Sequence, residues 1–295
     1  MSKCEICPRG CKAERDLGSI GYCGESDLIR VARIAPHLFE EPPISGSRGS
    51  GTVFFSGCSL HCVFCQNKKI SRTDGVGRVI SQKELKDAIL RLQDEGVHNI
   101  NLVTPTHFAH RIADVIADIK TTGELRIPVI YNSSGYEKVD TLKRLEGLVD
   151  IYMPDFKYYS AELSSRYSSA PDYMAVATEA LKEMYRQVGS FKYGDDGMLS
   201  RGLVVRHLVL PGNRHDSIAV LDHLASFLPV ENILLSLMSQ YTPEFAMDCD
   251  FKELHRRVTS FEYSSVVKHA EKLGFDGFIQ SKESATSEFT PSFTK

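Results

Sequence analysis

The chain has 295 residues, 42% of them hydrophobic and 25% charged, enough for one large α/β domain with a small appendage and a substantial core. A formal net charge of -3 offers no broad basic field, which argues against nucleic acid as a partner. No stretch reaches the roughly 20 apolar residues that span a bilayer, and the opening MSKCEICPRGCKAERD has no apolar signal core, so a cytoplasmic protein without a membrane partner is expected.

Eight cysteines in a cytosolic chain point to metal more than to disulfides when they cluster tightly, and seven of these do. Cys4, Cys7, Cys11 and Cys23 have C-x2-C-x3-C-x11-C spacing. Four thiolates with a tight start can close a tetrahedral site, and Gly10, Gly18, Gly21 and Gly24 permit sharp turns. The spacing differs from the bacterial ferredoxin run, so zinc, an auxiliary iron-sulfur cluster and four free thiols all stay open. Residues 1–44 therefore read as a Cys-rich extension, 45–280 as the main domain and 281–295, rich in Ser and Thr, as a frayed tail. Glu40 and Glu41, at the junction, read as solvated charges.

From about residue 51, short apolar runs alternate with stretches of helical period, the pattern of βα units on a parallel sheet. Six strands are predicted, at 52–57, 99–104, 127–132, 149–154, 203–210 and 232–238. Between the first two, Ser81 and Glu84 form a capping box, Leu85, Ala88, Ile89 and Leu92 an apolar face, and Gly96 a stop. Ile112, Val115, Ile116 and Ile119 mark a second helix, and Met174, Ala177, Leu181, Met184 and Val188 a longer one. The segment 189–202, with its glycines and Asp195 and Asp196, reads as a mobile loop, either a lid or a connection. A final helix carries Val266, Val267, Ala270 and Leu273 and ends at Gly274. Parallel βα folds place ligands at the carboxyl ends of their strands.

The first such end is GCSLHCVFCQN, which presents Cys58, Cys62 and Cys65 with C-x3-C-x2-C spacing. Three thiolates are one short of the set that normally holds a 4Fe-4S cluster, so one iron would keep an open position. A zinc knuckle or a loop of reduced structural cysteines is the alternative, though a zinc knuckle has no need of six βα units behind it.

This loop, with Phe64 just before the third cysteine, resembles the signature of the radical SAM superfamily. The resemblance implies a partial (β/α)6 barrel and an oxidoreductase. In that family the cluster chelates S-adenosylmethionine (S-adenosyl-L-methionine) and breaks its sulfonium bond, giving methionine and a 5'-deoxyadenosyl radical. Later strand ends would then bind the nucleotide. Thr104, Thr106 and His107 stand where relatives carry a glycine-rich segment, although Thr106 could equally cap a helix. Asn132, Ser133 and Ser134 are similar to the ribose or carboxylate segment. Asp155 and Lys157 look like the Asp-Leu-Lys of glycyl-radical-enzyme activating enzymes, Arg206 like their basic residue before Pro-Gly, and Gln240 stands where a histidine often lies.

The N-terminal CPRGC extends the likeness to the uncharacterised subgroup related to pyruvate formate-lyase activating enzyme. That likeness implies an anaerobic enzyme that generates a glycyl radical on a pyruvate formate-lyase-like partner, with flavodoxin or ferredoxin as electron donor. Radical modification of a small molecule or peptide is a second reading, and a non-catalytic metal-binding adaptor a third.

Overall fold

The computed structural model describes residues 3–72 and 76–279. Its elements run in chain order as β1 (Arg30–His37), α1 (Pro42–Ser45), β2 (Ser50–Phe55), α2 (Lys68–Ser71), β3 (Arg78–Val79), α3 (Gln82–Asp94), β4 (Ile100–Val103) and α4 (Ala109–Thr121). Next are β5 (Val129–Ser133), α5 (Val139–Lys143), β6 (Ile151–Pro154), α6 (Ala161–Ser168), α7 (Tyr173–Val188), β7 (Lys192–Tyr193) and β8 (Leu199–Leu208). Then come α8 (Arg214–Phe227), β9 (Leu234–Met238), α9 (Ser260–Leu273) and β10 (Asp276–Ile279).

All six predicted strands form, as β2, β4, β5, β6, β8 and β9, and they pair in parallel in that order. The sheet continues on one side to β10, also parallel, and on the other to β1 and β3, both antiparallel. The sheet order runs from β10 to β3 without a ladder joining these two ends, so the expected partial barrel is an open sheet among the described residues. The predicted helices appear as α3, α4, α7 and α9. In α3 the Ser81 hydroxyl accepts from the Glu84 amide, and Glu84 reaches back to the Ser81 amide. Its buried Leu85, Ala88, Ile89 and Leu92 cover the sheet, each large side chain contributing roughly 1.5–3 kcal/mol.

Four details correct the sequence expectations. First, the extension is not separate from the main domain. β1 pairs with β2 in the shared sheet, and the expected boundary at 44/45 falls inside α1. Second, α1 packs onto the sheet: Ile44 clusters with Ile130, Ile151, Met153, Val204 and Leu234. Glu40 and Glu41 are carried inward with it and are buried, not solvated. Third, the 189–202 segment is partly regular, since β7 pairs antiparallel with the first residues of β8. That hairpin lies at the amino end of β8, the end of the sheet opposite the cysteine loop, and so acts as a connection. Fourth, β10 extends the sheet beyond Gly274, where a left-handed backbone at φ 81° stops α9. The expected frayed tail lies outside the described residues. Among the described residues no helix is long and apolar enough to cross a membrane.

Candidate functional site

The cysteine loop leaves β2 through Gly57, whose φ of +83° and tight surroundings suit glycine. An added Cβ would stand 2.6 Å from the Cys23 carbonyl oxygen. The Cys58 amide donates to that same oxygen at 3.0 Å, which fastens the N-terminal segment onto the loop. Arg9 strengthens the junction, donating to the carbonyls of Ser59 (2.7 Å) and Ser168 (2.8 Å).

Cys58, Cys62 and Cys65 border one cavity of about 230 Å³. Burial, with the neighbouring sulfurs of Cys62 and Cys65, pushes the Cys58 thiol up to about 12. Burial also raises Cys65. Left alone, Cys58 and Cys65 would therefore keep their protons; a cationic iron core would draw them off. Donors already face the sulfurs: Ser168 Oγ lies 3.0 Å from Cys62 Sγ, Ser71 Oγ 3.5 Å from Cys65 Sγ, and the Leu60 amide 3.3 Å from Cys58 Sγ. Among the described residues, no three or more His, Cys, Asp or Glu side chains are placed to hold a single metal ion. A four-iron core is wider than one ion. The buried thiols, their hydrogen-bond donors and the adjoining cavity fit such a group chemically.

The opposite wall comes from later strand ends. Phe64, Thr104, Asn132, Ser133, Ser134, Asp155, Lys157, Arg206 and Gln240 all border the same cavity. Thr104 holds a left-handed backbone with φ +59°. This conformation is uncommon for a β-branched residue, and here it stands at the turn where the resemblance implies glycine. Lys157 Nζ meets Asp155 Oδ2 at 2.5 Å. Burial opposes the charge on Lys157, but Asp155 outweighs it and raises the lysine. Tyr173 ties these strand ends together, accepting from the Lys157 amide and lying 2.8 Å and 3.0 Å from the carbonyls of Ser134 and Asp155. Gly135, at φ +74°, leaves no room for a side chain, because a Cβ would come within 2.2 Å of the Asp155 carbonyl. Phe64 packs edge-on to Tyr167 and Tyr241.

Two expected contacts point elsewhere. The Thr106 hydroxyl donates to Glu137 at 2.5 Å, and a ring nitrogen of His107 lies 2.7 Å from the Ser56 carbonyl. Both residues are buried away from the cavity wall. Burial and the nearby Arg15 lower His107 to about 3, so its ring stays neutral. Arg206 does border the cavity, but its guanidinium is engaged by Glu40 Oε2 and Glu41 Oε1, each at 3.2 Å. Sequence reasoning missed Glu40, His37 and Met238 on the cavity wall, since burial of a charge beside a proline pair leaves no local signal.

The N-terminal cysteines gather beneath the cluster loop. An added Cβ on Gly21 would lie 3.4 Å from Cys11 Sγ and 3.5 Å from Cys23 Sγ, while Arg15 Nη1 donates to Cys4 Sγ at 3.6 Å. Burial lifts Cys7 to about 12. No metal site is shown there among the described residues.

Against known proteins, the family model for the radical SAM superfamily matches residues 52–196. An uncharacterized protein of Methanocaldococcus jannaschii is 28% identical over 286 residues, covering 94% of this chain and 76% of its own. A crystal structure of a radical SAM methyltransferase from Sphaerobacter thermophilus aligns with TM-score 0.50 at 17% identity, over 78% of this chain and 65% of that one. Methylornithine synthase aligns with TM-score 0.49 at 16% identity, over 72% and 59%. This chain thus spans less than two thirds of either solved protein. The radical SAM superfamily is supported for this chain by the match over residues 52–196, and that superfamily implies a 4Fe-4S cluster and S-adenosylmethionine; the alignment with the methyltransferase shows a likeness of fold.

Proposed function

We propose that this chain cleaves S-adenosylmethionine reductively and delivers the resulting radical to a substrate in the cavity. The observation that carries the reading is the shared cavity: Cys58, Cys62 and Cys65 border it together with Asn132, Ser133, Ser134, Asp155 and Lys157 from later strand ends. When bound, a 4Fe-4S cluster with one iron free of protein ligands supplies the electron that opens the sulfonium bond. Cys58, Cys62 and Cys65 would hold it, with Ser168 and Ser71 directing hydroxyl protons at the sulfurs. Lys157 would offer positive charge to a carboxylate, and the amide and hydroxyls of Asn132, Ser133 and Ser134 suit ribose, since they both donate and accept. Flavodoxin or ferredoxin would fit as electron donor. Cys4, Cys7, Cys11 and Cys23 would hold a second metal, zinc or an auxiliary cluster.

The likeness to activating enzymes makes a glycyl residue of a pyruvate formate-lyase-like protein one target. A second reading, modification of a small molecule or peptide, is favoured by the buried Glu40 and Arg206 on the cavity wall. A bare glycyl backbone has no use for such charges. An anaerobic preparation assayed for iron, sulfide, zinc and 5'-deoxyadenosine formation tests the central reading. Iron, sulfide and 5'-deoxyadenosine are expected; a reduced cluster without 5'-deoxyadenosine overturns initiation, and zinc alone would support an adaptor. A glycyl doublet in electron paramagnetic resonance on mixing with a glycyl radical enzyme would favour the protein target over the small one.

A further inference from the structure

The N-terminal segment is a knot of short turns around four thiols. Hydrogen bonds from the Cys4 amide to the Ala13 carbonyl and from the Lys12 amide to the Cys4 carbonyl, each 3.0 Å, lay Cys4 beside the turn that carries Cys11. A second turn, closed by the Gly24 amide on the Gly21 carbonyl at 2.9 Å, carries Cys23. The two turns meet over Gly21, where an added Cβ would lie 3.4 Å from Cys11 Sγ, 3.5 Å from Cys23 Sγ and 3.2 Å from Arg15 Cδ. Gly21 is not left-handed, so crowding by these groups, and not the backbone, favours glycine there. Cys7 is buried beside them, close enough to Cys4 and Cys23 to feel their charge.

This knot holds one cation without an anion. Arg15 is only 3% exposed. Its guanidinium donates to the carbonyls of Glu25 (3.1 Å), His107 (2.8 Å) and Ser26 (2.6 Å), all neutral groups, and to Cys4 Sγ at 3.6 Å. The carboxylates nearby are engaged by other cations: Glu25 by Arg30 at 3.1 Å, and Asp27 by His110 at 2.7 Å and Arg111 Nε at 3.0 Å. A buried guanidinium without a counter-charge is costly. Neutral thiols do not supply that charge, whereas thiolates held deprotonated by a metal do.

The spacing bears on which metal. Zinc draws four sulfurs to about 2.3 Å from one point, and among the described residues no three such side chains converge on a single ion. The same is true of Cys58, Cys62 and Cys65. An iron-sulfur core takes one thiolate at each of its separated corners, and four thiolates around it leave the net negative charge that Arg15 lacks. The knot is also tied to the cysteine loop. The Cys23 carbonyl accepts from the Cys58 amide at 3.0 Å, and Arg9, between Cys7 and Cys11, donates to the Ser59 and Ser168 carbonyls.

We propose that Cys4, Cys7, Cys11 and Cys23 hold a second iron-sulfur cluster, with Arg15 as its counter-ion, and that this cluster fastens the loop of Cys58, Cys62 and Cys65 through the Cys23 carbonyl. The proposal deepens the assignment of a second metal to these cysteines and does not depend on radical initiation.

The test uses the full chain with Cys58→Ala, Cys62→Ala and Cys65→Ala, reconstituted anaerobically with iron and sulfide, so that the N-terminal four are the one cysteine cluster left. About four irons with matching sulfide per chain are expected, lost on adding Cys11→Ala; zinc alone or no metal overturns the proposal. Should the triple variant fail to fold, the otherwise wild-type chain gives the reading. It should hold about eight irons, falling to about four in Cys11→Ala, whose side chain is exposed, and equal iron in the two overturns the proposal. Arg15→Met should make the reduction potential of the N-terminal cluster more negative, since a nearby positive charge favours the reduced state, and Arg15→Lys should restore it. An unchanged potential in Arg15→Met overturns the counter-ion role. Amide exchange over residues 57–62 should quicken in Cys11→Ala, and unchanged exchange overturns the fastening. A filled N-terminal cluster in wild-type protein that forms no 5'-deoxyadenosine overturns initiation alone; zinc there in protein that does form it overturns the second cluster alone.

Discussion

The Ser168 hydroxyl lies 3.0 Å from Cys62 Sγ as a donor and 2.7 Å from the Tyr158 hydroxyl, so the end of α6 reaches back to the cysteine loop. Hydrogen bonds to cluster sulfurs are one of the factors that set reduction potential. Removing this donor in Ser168→Ala leaves the Cys62 thiolate less stabilised and favours the oxidised, less negative cluster. The potential should fall, at a stability cost of about 1 kcal/mol. A redox titration followed by electron paramagnetic resonance checks this, and an unchanged or higher potential contradicts it.

Gly57 joins the strand to the cluster loop under two constraints that can be separated. Gly57→Ala places a residue with Cβ in the left-handed region, at about 1–2 kcal/mol, and drives that Cβ to 2.6 Å from the Cys23 carbonyl. Gly96→Ala has the first penalty alone, because φ is +87° and nothing lies within 4 Å. Urea unfolding should therefore show a larger loss for Gly57→Ala, accompanied by lower iron content. Equal losses would mean that the Cys23 contact yields freely.

These contacts mark where the sequence stops being informative. The six central strands are legible because each is a predominantly apolar run, as a strand covered on both faces requires. β1 is hidden by Arg30, Arg33 and Pro36, which break up its apolar pattern, and β10 by Asp276 and Gly277 just past a helix stop. Cys58, Cys62 and Cys65 are legible from spacing, since one loop supplies all three. Glu40 is not, because its burial depends on Arg206, 166 residues away, and on the inward turn of α1. Arg206 shows the same limit from the other side: its strand-end position is readable, whereas its engagement by two glutamates is not.

Arg206→Met tests that engagement. It strands the buried Glu40 and Glu41 without a counter-charge, and breaking a buried ion pair by removing one partner costs about 3–5 kcal/mol. Burial already raises Glu40, against the pull of Arg206, and losing the arginine raises it further. A carboxyl raised in the folded state binds more protons there than in the unfolded chain. Stability then falls as pH rises from the unfolded value toward the folded one. The deficit of Arg206→Met relative to wild type should thus be larger at pH 8 than at pH 5, measured by urea unfolding at both. A deficit independent of pH would show that packing, and not charge, is what Arg206 supplies.

Glu137 gives the sharpest pH test. Burial raises it to about 7, although Thr106, Ser133 and Tyr131 hydrogen bonds oppose the shift. Thr106 Oγ1 lies 2.5 Å from one carboxyl oxygen and the Tyr131 hydroxyl 3.3 Å from the other. Between the ordinary 4.5 and about 7 the folded protein holds a proton that the unfolded chain has released. Stability from this group is therefore full below 4.5, declines through that window and levels off above it, a total of about 3 kcal/mol as an order of magnitude. Glu137→Gln keeps an acceptor for Thr106 and cannot ionise, so wild type should lose stability relative to this variant as pH rises from 5 to 8. The turn at Thr104 and Thr106 leads from the cavity wall to this carboxyl, so deprotonation should loosen a segment that borders the site. Amide exchange over residues 104–108 should then quicken with pH beyond its intrinsic rate in wild type and not in Glu137→Gln. A constant difference between the two proteins in both measurements would place the proton elsewhere.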